Sequence, residues 1–116
     1  MKIAFSEIKN VSVHNVVREN NRDAKAELHF DFGDSILSLL LISPDLFMSR
    51  QHAQVEWSRF NEYMKSADVD FVSISRLSGN SLWFIEIWQY DNGVVNITYK
   101  IVCQDIDISR LSWQQR

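Results

Sequence analysis

The residues best suited to chemistry lie on one predicted strand. Glu27, His29 and Asp31 alternate with Leu28 and Phe30, so their side chains share one face of that strand. A carboxylate beside an imidazole can act in general acid–base catalysis or ligate a metal ion. Alternating polar residues are also the ordinary solvent side of a strand, so this trio alone does not define a site.

A metal site or an active site on this strand needs partners from elsewhere in the chain. His14, on a neighbouring predicted strand, is one candidate, but the spacing of His14, His29 and His52 matches no known ligand pattern. We therefore predict no metal and no cofactor. A small hydrolase or ribonuclease that uses His29 is the alternative.

Other catalytic signatures are missing from the sequence. Cys103 has the parity of a core residue in its predicted strand, which favours a small buried hydrophobe over a nucleophile. The three glycines stand far apart in predicted turns and form no phosphate-binding loop. We predict that the protein is not an enzyme.

Composition favours one folded domain over residues 1–116. That length is usual for a single domain, and 46% hydrophobic residues can supply a core. The net charge of −3, from 12 Lys+Arg and 15 Asp+Glu, disfavours nucleic acid as a partner, because binding nucleic acid depends on clustered cations. A mildly acidic surface suits a basic protein partner.

The cellular location is predicted from similar features. A single cysteine permits no internal disulfide, which is typical of the reducing cytoplasm. The most apolar run, residues 36–42, is far shorter than the roughly 20 residues that span a membrane. The first residues lack the long apolar core of a signal peptide. We predict a cytoplasmic monomer or homodimer without membrane contact.

The first half of the chain is predicted to form four strands and then a helix. Strands are expected over residues 2–8 and 10–18, and Gly33-Asp34 is a two-residue hairpin signal between the next two. That hairpin pairs apolar residues throughout: Phe30 with Leu37, Leu28 with Leu39 and Ala26 with Leu41.

The helix is predicted to begin at Ser43-Pro44-Asp45, where serine can cap, proline fits the first turn and aspartate suits the dipole. It is expected to end near Ser66–Asp68. Its apolar stripe has helical spacing and contains Ala53, Trp57, Phe60 and Met64.

Three strands fill most of the second half, over residues 71–78, 81–90 and 94–104. A two-residue Gly79-Asn80 loop pairs Val72 with Ile87. A three-residue loop over residues 91–93 pairs Ile87 with Ile97. Together these registers predict one apolar face that the helix covers, made of Val72, Ile74, Trp83, Ile85, Ile87, Val95, Ile97, Tyr99, Ile101 and Cys103. Residues 105–116 are expected to form a short helix or an irregular strap.

The predicted fold class is α+β. It has a mainly antiparallel sheet of about five to six strands built from hairpins. One central helix packs on one face, and the element order is β-β-β-β-α-β-β-β.

The reverse face of the last three strands mixes aromatic rings with hydrogen-bonding side chains. Its predicted members are Phe71, Ser73, Ser75, Phe84, Glu86, Trp88, Tyr90, Asn96, Thr98 and Lys100. Such mixtures are common in protein–protein interfaces. The N-terminal strands or the C-terminal segment could equally cover this face. We predict a partner-binding surface made of Phe84, Glu86, Trp88, Tyr90, Asp91 and Lys100.

In its general format the sequence resembles bacterial immunity proteins of the contact-dependent growth inhibition type. The resemblance rests on the size, the acidity, the hairpin over residues 83–93 and the missing catalytic set, and it assigns no residue roles. It implies a protein that neutralises one cognate toxin, here a basic domain, by occluding its active site. A small acidic secretion chaperone or adaptor is the other possibility; it would dimerise.

Overall fold

The computed structural model describes residues 2–50, 53–76, 79 and 81–115. Within those ranges the chain is mainly antiparallel β-structure with one short helix, which confirms the prediction at that level. The elements are β1 Lys2–Ser6, β2 Asn10–Glu19, β3 Arg22–Asp31, β4 Ser35–Ile42, β5 Asp45–Met48, β6 Ala53–Gln54, α1 Trp57–Met64, β7 Phe71–Arg76, β8 Trp83–Asp91, β9 Val94–Cys103 and β10 Asp105–Gln115.

The strands form two sheets where the sequence predicts one. The six-stranded sheet has the order β1-β7-β8-β9-β5-β6, and the four-stranded sheet has the order β10-β4-β3-β2. The predicted element order is also wrong, since it lacks β5, β6 and β10. The N-terminal hairpins do not extend the C-terminal sheet but form a second layer.

One core lies between the two sheets. Phe5 of β1 contacts Phe30 of β3 across the layers, with ring centroids 5.4 Å apart. Alternate residues of the strands supply most of the rest, because successive side chains of a strand point to opposite faces. The fully buried members include Val11, Leu28, Phe30, Leu37, Leu41, Leu46, Phe60, Met64, Val72, Ile85, Ile87 and Ile101.

Two hairpin registers are confirmed. Leu28 pairs with Leu39 around the Gly33-Asp34 turn, where Gly33 has a φ of 95° that favours glycine. Val72 pairs with Ile87 between β7 and β8. Residues 77, 78 and 80 of the connecting loop lie outside the described residues.

The helix prediction is wrong at its start. The segment from Asp45 to Met48 is strand β5, which pairs with β9, and Ser43 before it has a left-handed φ of 51° in place of the extended backbone typical of an N-cap. The helix begins only at Trp57. Leu46 is buried in the core from β5, so tertiary packing outweighs the local helix-start signal there.

The predicted apolar stripe of the helix is correct except for Ala53, since Trp57 also packs against the core. Phe60 and Met64 are buried, and the Phe60 ring meets the Tyr99 ring edge-on at 5.2 Å between centroids. Ala53 belongs to β6 and is exposed. The helix adds Phe60 and Met64 to the one core that both sheets share.

The predicted register of β8 and β9 is also wrong. The turn is two residues long, Asn92-Gly93, with φ of 49° and 84°, which are the signs of a type I′ turn. A β-bulge then places Ile87 opposite Tyr99 but Trp88 opposite Ile97, so Thr98 is the extra residue. Uniform alternation predicts a single parity along β9, whereas a bulge reverses that parity in mid-strand.

The bulge moves two residues from the predicted apolar face. Ile97 pairs with Trp88, and Val95 pairs with Tyr90, on the outer side of the sheet. Val95 is 36% exposed, unlike Tyr99 and Ile101 beyond the bulge, which are buried.

The C-terminal segment is a strand, not a helix or a strap. β10 pairs antiparallel with β4 and forms one edge of the four-stranded sheet. Ile106 joins the core, and the ring of Trp113 packs on Phe32 at 5.6 Å. In the described residues no helix is long and apolar enough to cross a membrane.

Candidate functional site

The outer face of the six-stranded sheet carries the residues predicted to bind a partner. Cross-strand pairing sets Phe71 beside Trp88, Ser73 beside Glu86, and Glu86 beside Lys100. The four-stranded sheet packs on the opposite face of the same strands. We call this surface the aromatic face and define it by Phe71, Ser73, Phe84, Glu86, Trp88 and Lys100.

Trp88 is held in a fixed orientation on the aromatic face. Its ring stacks on Phe71 with centroids 5.2 Å apart and planes 13° apart. Its Nε1–H donates a hydrogen bond to Ser73 Oγ at 3.1 Å, and Ser73 is fully buried beneath. Trp88 is nevertheless partly exposed. A rigid, half-exposed tryptophan offers contact area at low entropic cost.

Lys100 and Glu86, the two charged residues of the aromatic face, contact different neighbouring side chains. The Nζ of Lys100 lies over the Phe84 ring, 5.6 Å from its centroid, in a cation–π arrangement. The Oε1 of Glu86 accepts a long hydrogen bond of 3.5 Å from Ser73. Among the described residues Glu86 forms no ion pair, so its carboxylate can meet an incoming cation.

Two predicted site residues, Tyr90 and Asp91, lie outside the set that defines the aromatic face. Tyr90 lies further along β8 and is 67% exposed. The backbone of Asp91 pairs with Val94 at the turn, and its side chain lies outside the description. Sequence reasoning put Asn96 and Thr98 on this face as well, but the bulge shifts Thr98 towards Gln89, whose amide oxygen it donates to.

Phe71 lies on the predicted reverse face, but the predicted partner-binding set does not include it. Its role depends on the stack with Trp88, which follows from the confirmed pairing of β7 with β8. The β7–β8 register therefore identifies Phe71 as part of this surface, because it places Phe71 beside Trp88.

The structure brings His14 and Glu27 close to His29, but it separates Asp31 from this group. His14 joins His29, with ring centroids 4.3 Å apart and planes 32° apart, on the outer face of the four-stranded sheet. His29 Nε2 and Glu27 Oε2 are 3.3 Å apart. Asp31 instead accepts a hydrogen bond from the Gly33 N–H at 2.8 Å, which stabilises the turn.

The surroundings of His14 and Glu27 shift the pKa values of both groups. Burial lowers the pKa of His14, and the charge of His29 lowers it further, while Glu27 acts in the opposite direction. A hydrogen bond from Asn15 Nδ2, 3.0 Å long, is the main cause of the lowered pKa of Glu27. At neutral pH this cluster is an uncharged His14 beside an ionised Glu27.

The geometry of His14, His29 and Glu27 limits both metal binding and the access of a substrate to the imidazoles. Within the described residues, no group of three or more His, Cys, Asp or Glu side chains is arranged to hold a metal ion. The His14 Nε2 is engaged with Ser12 Oγ at 2.8 Å, on the same strand. The two imidazoles lie in contact, so no substrate atom fits between their rings in this arrangement.

Cys103 lies in the core, where its parity predicted it. It is 1% exposed, and burial raises the pKa of its thiol to about 12. A thiol with that pKa is not a nucleophile at neutral pH.

Comparison with protein-family models, with curated proteins and with solved structures gives no match.

Proposed function

We propose that the protein is a non-catalytic binding domain whose aromatic face docks on another protein. The observation that carries this proposal is the stack of Phe71 and Trp88, fixed by Ser73 and partly open to solvent. Tryptophan is among the residues that dominate binding energy at protein interfaces. A partly exposed aromatic cluster on a sheet surface is otherwise a liability for a folded chain.

The charge of the protein favours a basic partner. The chain has a net charge of −3, and Glu86 lies at the centre of the aromatic face without an ion-pair partner among the described residues. Opposite charges on two surfaces speed association and suppress wrong partners. A basic protein that presents a cation to Glu86 and an apolar surface to Trp88 fits both features.

Within this class, we infer an inhibitor of the immunity type, which neutralises one cognate toxin by covering its active site. The format of the sequence supports this, and a rigid sheet face suits it, because pre-organised surfaces bind with little change of shape. Tyr90, at the exposed end of β8, extends the docking surface towards the turn at residues 92–93.

The test begins with affinity capture of the partner from the native cell lysate, followed by calorimetry with the purified partner. Trp88→Ala is expected to weaken binding about 30-fold or more, since truncation of a tryptophan anchor costs at least about 2 kcal/mol. Glu86→Lys is expected to weaken binding and to reduce its dependence on salt.

Trp113→Ala is the matched control for this test. Trp113 is 56% exposed, but it lies on the four-stranded sheet, away from the aromatic face. Its replacement should leave the affinity unchanged. If Trp113→Ala weakens binding and Trp88→Ala does not, the partner docks elsewhere. An inhibitor must also abolish the partner's activity at equal concentration, whereas an adaptor leaves it intact.

A small hydrolase or ribonuclease is a second candidate, because the structure brings His14 to His29 and Glu27. Two imidazoles and a carboxylate are a common acid–base set. The contact between the rings argues against it, since catalysis would require them to separate. Hydrolysis of RNA by the purified protein that is lost in both His29→Ala and His14→Ala would support it over the binding domain.

A further inference from the structure

A cavity of about 430 Å³ opens beside the aromatic face, at the edge of β9. It forms where the pairing of β5 with β9 stops, at Met48 opposite Tyr99. The last bond there joins the Ser49 N–H to the Thr98 carbonyl at 3.0 Å. The volume lies within the range of about 300–1,000 Å³ that is usual for small-molecule sites.

The walls of the cavity are built by the β-bulge and its hydrogen bonds. The buried Gln89 accepts from the Tyr63 hydroxyl at 3.2 Å and from Thr98, and its amide donates to the Asp68 carbonyl at 3.1 Å. These bonds tie the helix to the bulged strands. Two residues that line the cavity, Tyr63 and Thr98, are therefore held in position by hydrogen bonds.

Aromatic rings supply much of the lining. Trp88 bounds the cavity on the side of the aromatic face, and Tyr63 and Tyr99 bound it on the side of the helix. The two tyrosine rings are in contact, with centroids 5.3 Å apart. Such walls suit a flat or branched apolar group.

The polar groups of the lining favour an anion. Of the described residues that line the cavity, Arg50 is the only charged one, and the amide of Asn96 adds a neutral donor. Burial, and after it the neighbouring Tyr63, raises the pKa of the Tyr99 hydroxyl, so the phenol stays protonated at neutral pH and can donate. A guanidinium matches a carboxylate with two parallel hydrogen bonds.

We propose that this cavity binds a carboxylate group attached to a small apolar stem, with Arg50 as its counter-ion. Two sources can present that chemistry. One is a free organic acid, and the other is a glutamate side chain presented by a protein partner. The proposal extends beyond the docking of a basic protein on the aromatic face, although both surfaces share Trp88.

The test is an NMR titration of the isolated protein with phenylacetate, which needs no knowledge of the partner. Saturable shifts are expected for the indole N–H of Trp88 and for the backbone amides of Asn96 and Thr98. The expected dissociation constant is on the order of 1 mM, as befits a ligand of this size. Phenylacetamide, the neutral isostere, should bind at least about tenfold more weakly, because it loses the charge-assisted bonds.

Arg50→Gln should weaken phenylacetate binding about tenfold or more and leave phenylacetamide binding unchanged. Arg18→Gln is the matched control, since Arg18 is an exposed arginine of β2 on the other sheet. Equal binding of the acid and the amide overturns the proposal, as does the absence of saturable shifts.

A second titration distinguishes the two sources. N-acetylglutamate N-methylamide presents the carboxylate as a peptide does. Tighter binding of this probe than of phenylacetate assigns the cavity to a protein side chain, and the reverse order assigns it to a free acid. If neither probe binds, the cavity proposal fails while the proposed docking on the aromatic face is still testable by Trp88→Ala.

Discussion

The side-chain amide of Asn61 pairs with the backbone of Val13 through two hydrogen bonds of 2.8 Å. Its Oδ1 accepts from the Val13 N–H, and its Nδ2 donates to the Val13 carbonyl. Val13 lies on β2, an edge strand of the four-stranded sheet. The amide therefore takes the place of a neighbouring strand at that point, fastens the helix to the sheet and blocks part of an open edge.

Asn61→Ala should destabilise the fold by about 1–3 kcal/mol, because two net hydrogen bonds are lost and two backbone groups of a buried residue are left without partners. Chemical denaturation measures the change. Glu62→Ala, on the exposed side of the same helix, removes only a surface ion pair with Lys65 and should change stability by less than about 1 kcal/mol. Equal effects of the two variants would mean that the pairing with Val13 adds nothing.

Gln89→Leu should cost about 1–3 kcal/mol of stability although it keeps the size of the side chain. Gln89 is only 7% exposed and bonds to Tyr63, Thr98 and Asp68, so leucine would remove three hydrogen bonds that join the helix and its C-terminal segment to the bulged strands. Gln114→Leu, at an exposed position of β10, is the control and should be close to neutral. A neutral Gln89→Leu would show that the bulge does not depend on this network.

The pKa of His14 should move in opposite directions in two variants, followed by NMR of the imidazole protons. His29→Asn removes a charge that lowers the pKa of His14, so that pKa should rise towards its ordinary value. Glu27→Gln removes a charge that raises it, so the pKa should fall further. Shifts of the same sign in both variants would contradict the electrostatic coupling within the cluster.

The lowered pKa of His14 also predicts how the wild-type stability depends on pH. The unfolded chain binds the proton more readily than the folded chain, so this group contributes stability above its ordinary pKa of 6.5. That contribution is lost as the pH falls through the folded pKa. Denaturation midpoints should decrease from about pH 7 towards pH 5, and less steeply in His14→Asn.

Cys103 should be inert in the folded protein. Its thiol is buried and its pKa is about 12, so a disulfide reagent at mildly alkaline pH should react only after unfolding in guanidinium chloride. Since the folded pKa lies above the unfolded one, the thiol's contribution to stability is complete below about pH 9 and falls as the pH rises towards 12. Fast reaction of the native protein would show that β9 opens readily.

Some features of the site follow directly from the sequence. The β7–β8 register required only alternating apolar residues and one turn signal, and it correctly places Glu86 and Trp88 on a common outer face. The same reasoning gave the β3–β4 hairpin. Both predictions rest on a period of two within a few residues of a tight turn, where local pattern and tertiary contacts agree.

The contact between His14 and His29 does not follow from the sequence pattern. Glu27 and His29 were expected on one face, but nothing in their spacing predicts that His14 comes to lie against His29. That contact requires the β2–β3 pairing, in which His14 is directly opposite Glu27 and Ser12 opposite His29. β2 also carries register shifts after His14, so its alternation alone gives no reliable guide to its partners.

Alternating apolar residues and turn signals are sufficient to predict antiparallel hairpins, the burial of most alternating apolar residues and the outward direction of Glu86 and Trp88. They do not predict that the strands divide into two packed sheets, that Asp45–Met48 is a strand or that Thr98 forms a bulge. Strand alternation is a local property, whereas a bulge or an added strand depends on groups that are distant in the sequence. Here those groups are the hydroxyl of Tyr63 on the helix and the open edge of β9.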